Sequence, residues 1–163
     1  MVENFRKILL GNIMIKIVIN MVVLLLFCGS IMASENLISI KSPFTVKESA
    51  DRFEKVLKSK GLTVFARINH SKNASSVELE LMPTEVIIFG NPKVGTPLMQ
   101  CSKMVAIDLP QKALFWTDEK GQSWLSYNNP EYLKDRHNIV GCDRVIEKIS
   151  GVLDKLSKVA TAK

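Results

Sequence analysis

The 163-residue sequence predicts an α+β domain, an antiparallel sheet with helices packed on one face, and three observations lead to it. Amphipathic helical spacing occurs at only three places, near residues 46–57, 98–105 and 145–159. Between them, β-branched and aromatic runs follow one another with short polar breaks. Two of the runs are joined by a glycine-bearing turn. Helices are too few and strands too consecutive for alternating β-α units, which argues against a doubly wound parallel sheet.

In chain order, residues 42–61 place Val46, Ala50, Phe53 and Leu57 on one helical stripe. Thr45 and Glu48 form a capping box ahead of it, and Gly61 is a natural residue just past its end. In LTVFARIN, Val64, Ala66 and Ile68 alternate with Phe65, Arg67 and Asn69, which predicts a strand with one wetter face. HSKNASS is a polar connection that enters a short helical turn around 77–81. TEVIIFG is a second strand, and its lack of alternation predicts burial on both faces near the sheet centre. Thr96 and Pro97 read as an N-cap and first-turn pair, with Leu98, Cys101 and Val105 at helical spacing behind them. That helix must stop near Asp108 because Pro110 follows. KALFWTDEKGQSWLSY is a hairpin in which Gly121 takes a positive φ. From 140 to 160, a long amphipathic helix turns Val145, Ile149, Val152, Leu156 and Val159 inward.

Residues 1–33 read as a targeting segment rather than as part of the fold. Arg6, Lys7 and Lys16 form a basic start, IVINMVVLLLFCGSIMA an apolar core, and Ala33 a small residue before Ser34. Cleavage after Ala33, lipidation at Cys28 and retention as an uncleaved anchor are the three readings. All of them put the remainder outside the cytoplasm, periplasmic or extracellular, with a membrane contact only through that segment. Residues 34–163 are then expected to form a single domain, large enough for its own core. Without the leader the chain keeps 19 basic and 15 acidic side chains, a net charge of +4. The excess is spread along the chain, so no nucleic-acid footprint is expected.

Three segments carry a family likeness: VFARINH, PTEVIIFGNPKVGTPLM and IDLPQKALFWTDEKGQSWLSYNNPEYLKDRH. In that order, and over residues 42–160, they resemble the signature segments of the family called domain of unknown function 302. The resemblance implies a fold similar to that of the TATA-binding protein, a curved antiparallel sheet with two main helices packed on one face. It implies no activity, and a shared fold does not carry nucleic-acid binding with it. One departure is Asn69 before His70, where the family pattern leads one to expect an aspartate; its loss weakens any scheme built on an Asp-His pair there.

The functional candidates centre on GNPKVGT. Gly90 and Gly95 are spaced as in a phosphate loop, but no lysine follows the second glycine. What survives is a helix N-terminus with free N–H groups at Thr96, Leu98 and Met99, and Lys93 adding charge for a small anion. Against it, Pro92 and Pro97 each delete a donor. Asn91, Lys93, Gly95, Thr96 and Met99 are therefore the expected ligand-binding residues. His70 and His137, with Met99, Met104 or Cys101 as a soft ligand, suggest copper outside the cytoplasm, yet no pair has ligand spacing within one element. No metal ligand, cofactor or catalytic residue is assigned. Ser123 and Ser126 lack a strained nucleophile turn, and Cys101 falls inside a helix. Cys101 and Cys142 fit either one disulfide or two small buried apolar residues. Trp116 and Trp124 are expected to face each other in the hairpin and, with Tyr127, to belong to the core. The leading expectation is a non-enzymatic exported domain that binds a small ligand, anions included, or a partner protein. The alternatives are a homodimeric assembly module and a copper-handling or redox protein.

Overall fold

The computed structural model describes residues 36–163, which belong to one compact unit. Residues 1–33, read above as a targeting segment, lie with Cys28 outside the described residues. The order of elements is β1 (Leu37–Ser42), α1 (Val46–Ser59), β2 (Thr63–Asn69), α2 (His70–Ser75), β3 (Thr84–Gly90), α3 (Pro92–Cys101), a 3-10 turn (Lys103–Ile107), β4 (Gln111–Thr117), β5 (Ser123–Asn128), α4 (Pro130–Arg136) and α5 (Asp143–Thr161). The five strands form one open sheet in the order β1-β5-β4-β3-β2, antiparallel at each pairing. The expected α+β architecture holds, with α1 and α5 as its two long helices.

The first helix forms where its ends are written. Thr45 Oγ1 accepts from the Glu48 N–H at 3.2 Å, and Glu48 Oε2 accepts from the Thr45 N–H at 3.0 Å, which satisfies two donors that a bare helix start leaves open. Gly61, at φ +68°, turns the chain out of the helix and into β2. Val46, Ala50, Phe53 and Leu57 are all buried, and the Phe53 ring meets Phe89 and Phe115 edge to face. Those two rings come from β3 and β4, so one helical residue ties α1 to two adjacent strands.

Four expectations change. Strand β1 was not foreseen: LISIKS pairs with β5 as an edge strand, and its short polar alternation carries little periodic signal. Strand β3 does alternate, with Glu85, Ile87 and Phe89 buried and Val86 and Ile88 only half-buried, because the helices cover one face of the sheet. The helical turn after β2 is His70–Ser75, capped by Asn69, and Val77, Leu79 and Leu81 are exposed beyond it. In α5 the buried stripe is Ile146, Ile149, Leu153, Leu156 and Ala160, whereas Val152 and Val159 are exposed. The two stripes share Ile149 and Leu156 and differ by one residue elsewhere, an ambiguity inherent in a helix whose apolar arc is broad.

Cys101 at the end of α3 and Cys142 before α5 are joined as a disulfide, with their Cα atoms 6.4 Å apart. The bond spans a sequence separation of 41 and so restricts the unfolded chain. Reduction is expected to lower stability by about 3 kcal/mol. Urea unfolding of the full chain with and without reductant measures it, and a shift below about 1 kcal/mol counts against the loop-closure argument.

Candidate functional site

Helix α3 begins five residues earlier than the sequence reading placed it. Asn91 is the N-cap, its Oδ1 accepting from the Lys93 N–H at 2.9 Å, and Pro92 occupies the first helical position. Thr96 is therefore not the cap, and Pro97 sits inside the helix. Both Asn-Pro and Thr-Pro make sound helix starts, and the chain uses the first because the helix then begins directly at the end of β3. The N–H groups of Leu98 and Met99 lie within the helix rather than at an open N-terminus. The helix ends at Cys101, and Val105 belongs to the following 3-10 turn.

This early start folds GNPKVGT into one wall of a cavity of about 270 Å³. Gly90, Asn91, Val94, Gly95, Thr96 and Met99 contribute from the end of β3 and from α3. Leu62 and Phe65 close it from the β2 side, Ala106, Leu109 and Pro110 from the connection into β4, and Ile149, Val152 and Leu153 from α5. Of the five expected binding residues, Asn91, Gly95, Thr96 and Met99 thus line one cavity. Lys93 does not; it is exposed on the outer side of α3. The two glycines keep the walls apart. A Cβ on Gly90 would sit 3.5 Å from Phe65 and 3.6 Å from Pro110, and one on Gly95 would point at Leu109, 4.0 Å away.

Two polar residues of the lining were missed. Gln111 opens β4, where its register opposite Phe89 turns it toward the helices. It is only 9% exposed, and its Nε2 is buried without a hydrogen-bond partner. An unpaired buried amide donor is destabilising by about 1–3 kcal/mol, so its presence asks for a reason. In sequence, a glutamine beside a lysine after a proline looks like a solvated strand end. Lys148, on α5, is the only charged side chain that the described residues bring to the lining. The exposed Val152, an oddity on an amphipathic helix, is explained by the same cavity.

The other candidates are accounted for by structure. His137 Nε2 lies 2.6 Å from Asp108 Oδ2, both groups largely buried, while His70 is exposed on α2. Cys101 is in its disulfide, Met104 is 72% exposed, and the described residues hold no cluster of three metal-capable His, Cys, Asp or Glu side chains. At 69–70 no Asp-His pair is possible, and Asn69 caps α2 and donates to Glu85 at 3.0 Å. Ser126 Oγ bonds Ser39 Oγ and accepts from the Trp116 indole N–H. Trp116 and Trp124 do pair across the hairpin, stacked with centroids 6.2 Å apart, but they are partly exposed; only Tyr127 is buried in the core. The Trp124 N–H, with the backbone N–H groups of Gln122 and Lys120, holds the Asp118 carboxyl below its usual range and fastens the turn.

Residues 38–156 match the family described as Domain of unknown function DUF302. The chain belongs to the DUF302 family. A crystal structure of an uncharacterized conserved DUF302 protein from Bacillus stearothermophilus superimposes with a TM-score of 0.71 at 16% identity, covering 78% of this chain and 99% of that one. At that identity the likeness speaks for the DUF302 fold alone. Among curated proteins, the chain is similar to "Fluoride-specific ion channel FluC 1" of Brucella suis biovar 1, 43% identical over 103 residues, which is 63% of this chain and 41% of that protein. "Fluoride-specific ion channel FluC 2" of Brucella melitensis biotype 1 matches at the same identity and length, over 38% of its own. The DUF302 chain thus spans about two fifths of these relatives. No helix among its described residues is long and apolar enough to cross a membrane.

Proposed function

We propose that this DUF302 protein is an exported, non-enzymatic binding domain whose ligand is a small, predominantly apolar molecule held in the cavity beside α3. The observation that carries the reading is the cavity itself: about 270 Å³ bounded largely by Leu, Val, Ile, Phe, Met and Pro side chains, with Gln111 as a buried polar group in the wall. Sites for small ligands have this character, an apolar enclosure with a few placed polar groups. Lys148 lies in the lining and gives anionic ligands a counter-charge there, in place of the role expected of Lys93. The basic, apolar N-terminal segment and the Cys101–Cys142 bond support the exported setting.

The test is a filled cavity. Gly95 is helical with a negative φ, and the space in front of it is open to 4.0 Å, so Gly95→Leu projects into the cavity without backbone strain. Because glycine is a poor helix former, the variant is expected to keep or raise the melting temperature. Native mass spectrometry of protein from its own host should show a bound small molecule in the wild type and none in Gly95→Leu. An equally loaded variant would show that the ligand sits elsewhere.

A second reading comes from the Brucella relatives, whose name is that of a fluoride-specific channel. On it, the shared 103-residue segment is a module that serves such a channel, and this chain is its separate counterpart. Co-purification of this chain with a fluoride channel from the same cell, lost on deleting residues 36–163, is the result that reading requires.

A further inference from the structure

We propose that the cavity selects a molecule with an apolar body and an oxygen acceptor, a carbonyl or carboxylate, and that Gln111 reads that oxygen. The inference rests on the ligand-binding reading above and adds the chemical class. Gln111 is more than nine-tenths buried at the cavity wall, and its Nε2, a donor only, has no acceptor among the described residues. Nε2 is sealed from solvent in this structure, so the terminal amide has to turn about its last torsion to present an N–H to an acceptor lodged in the cavity. A hydrocarbon leaves it unpaired, and an amine competes as a second donor. The size of the enclosure sets the scale of the body. At about 30 Å³ for each water-sized volume, 270 Å³ accommodates one molecule of about nine non-hydrogen atoms. Lys148 distinguishes the two acceptor classes: it makes no ion pair among the described residues, so a carboxylate gains a counter-charge there that a neutral ketone does not.

Three probes of matched length separate the possibilities: octane, methyl hexyl ketone and octanoate. They are titrated into full-length isotope-labelled protein, with binding and the Gln111 side-chain amide resonances followed by NMR. The ketone and octanoate are expected to move those resonances downfield, and octane to bind without moving them. Gln111→Leu, close in size, should weaken the ketone and octanoate about tenfold, the worth of one buried hydrogen bond, while octane binds as well or better. Lys148→Met should weaken octanoate only. Tighter octanoate in the wild type assigns the ligand as an acid, and tighter ketone as a neutral carbonyl compound; both outcomes support the oxygen-acceptor class. Equal effects of Gln111→Leu on all three probes, or none on any, overturn the role of Gln111 and leave the cavity reading standing. No binding of any probe, in a protein that also shows no cavity ligand by mass spectrometry, overturns both. Because Gln111→Leu removes an unpaired donor it should fold at least as stably as the wild type; Gln111→Met repeats the comparison with a more flexible chain.

Discussion

Phe53→Ala is expected to destabilise the domain by about 4 kcal/mol. Phe53 is 1% exposed on the inner face of α1, and its ring meets Phe89 at 5.2 Å and Phe115 at 5.5 Å, both edge to face. Truncation removes the transfer energy of the ring, leaves a hole where α1 crosses β3 and β4, and breaks two aromatic contacts. The sheet side of that hole cannot collapse freely, because Ile87, Phe89 and Phe115 are fixed by strand register. Phe89 also lines the cavity, so the same substitution should loosen the wall and weaken the binding proposed there. Urea unfolding reads the stability change, with an unaltered slope showing that the denatured state has not changed. Phe53→Leu should lose less than half as much. A loss under about 1.5 kcal/mol for the alanine variant means that α1 slides in to fill the space.

Local signals in the sequence carry part of this fold, and pairing between distant residues carries the rest. Helix α1 was legible to the residue because Thr45, Glu48 and Gly61 are local signals whose partners lie within one turn. The hairpin was legible for the same reason, from Gly121 and the Trp116 and Trp124 register. Helix α3 was misplaced because two Asn/Thr-Pro pairs compete for its start. The choice between them depends on where β3 ends, and strand ends are set by pairing with distant residues. Strand β1 failed for a related reason, since a six-residue edge strand with only Ser42 fully buried has no core pattern until β5 lies beside it. Four of the five candidate site residues were brought to one cavity, yet two further polar residues of its lining, Gln111 and Lys148, came from β4 and α5. Neither is distinctive in its own neighbourhood; the fold alone brings them into one lining.

Replacing Arg67 should be nearly as damaging as replacing Phe53, for an electrostatic reason. Arg67 projects from β2 onto the helix face of the sheet, where it donates to Glu85 at 2.7 Å, Asp51 at 2.6 Å and Glu54 at 3.2 Å. Burial alone would lower its pKa, but the hydrogen bonds it donates to Asp51, Glu85 and Glu54 and the charge of Glu85 outweigh that, and it is held raised. Glu85 is 6% exposed and keeps only the Asn69 amide if Arg67 goes. Leaving a buried carboxylate without its cation is destabilising by about 3–5 kcal/mol, and we expect about 3 for Arg67→Met because Asn69 remains. Removing both charges, as Arg67→Met with Glu85→Leu, should recover most of the loss, since an apolar pair of similar volume needs no compensation. The pH dependence separates this from simple loss of packing. Hydrogen bonds from Lys47 and then Arg67 lower the Asp51 pKa below 3.8, and a hydrogen bond from Lys58, opposed by burial and aided by Arg67, lowers that of Glu54 below 4.5. Groups whose folded pKa is depressed stabilise the protein fully above their unfolded values and lose that contribution as the pH falls through the folded ones. Wild-type stability should therefore fall with acid from about pH 5 downward, and Arg67→Met should fall less steeply over the same range. Parallel curves would mean that Lys47 and Lys58, the exposed helix partners, hold the two carboxylates without help from Arg67.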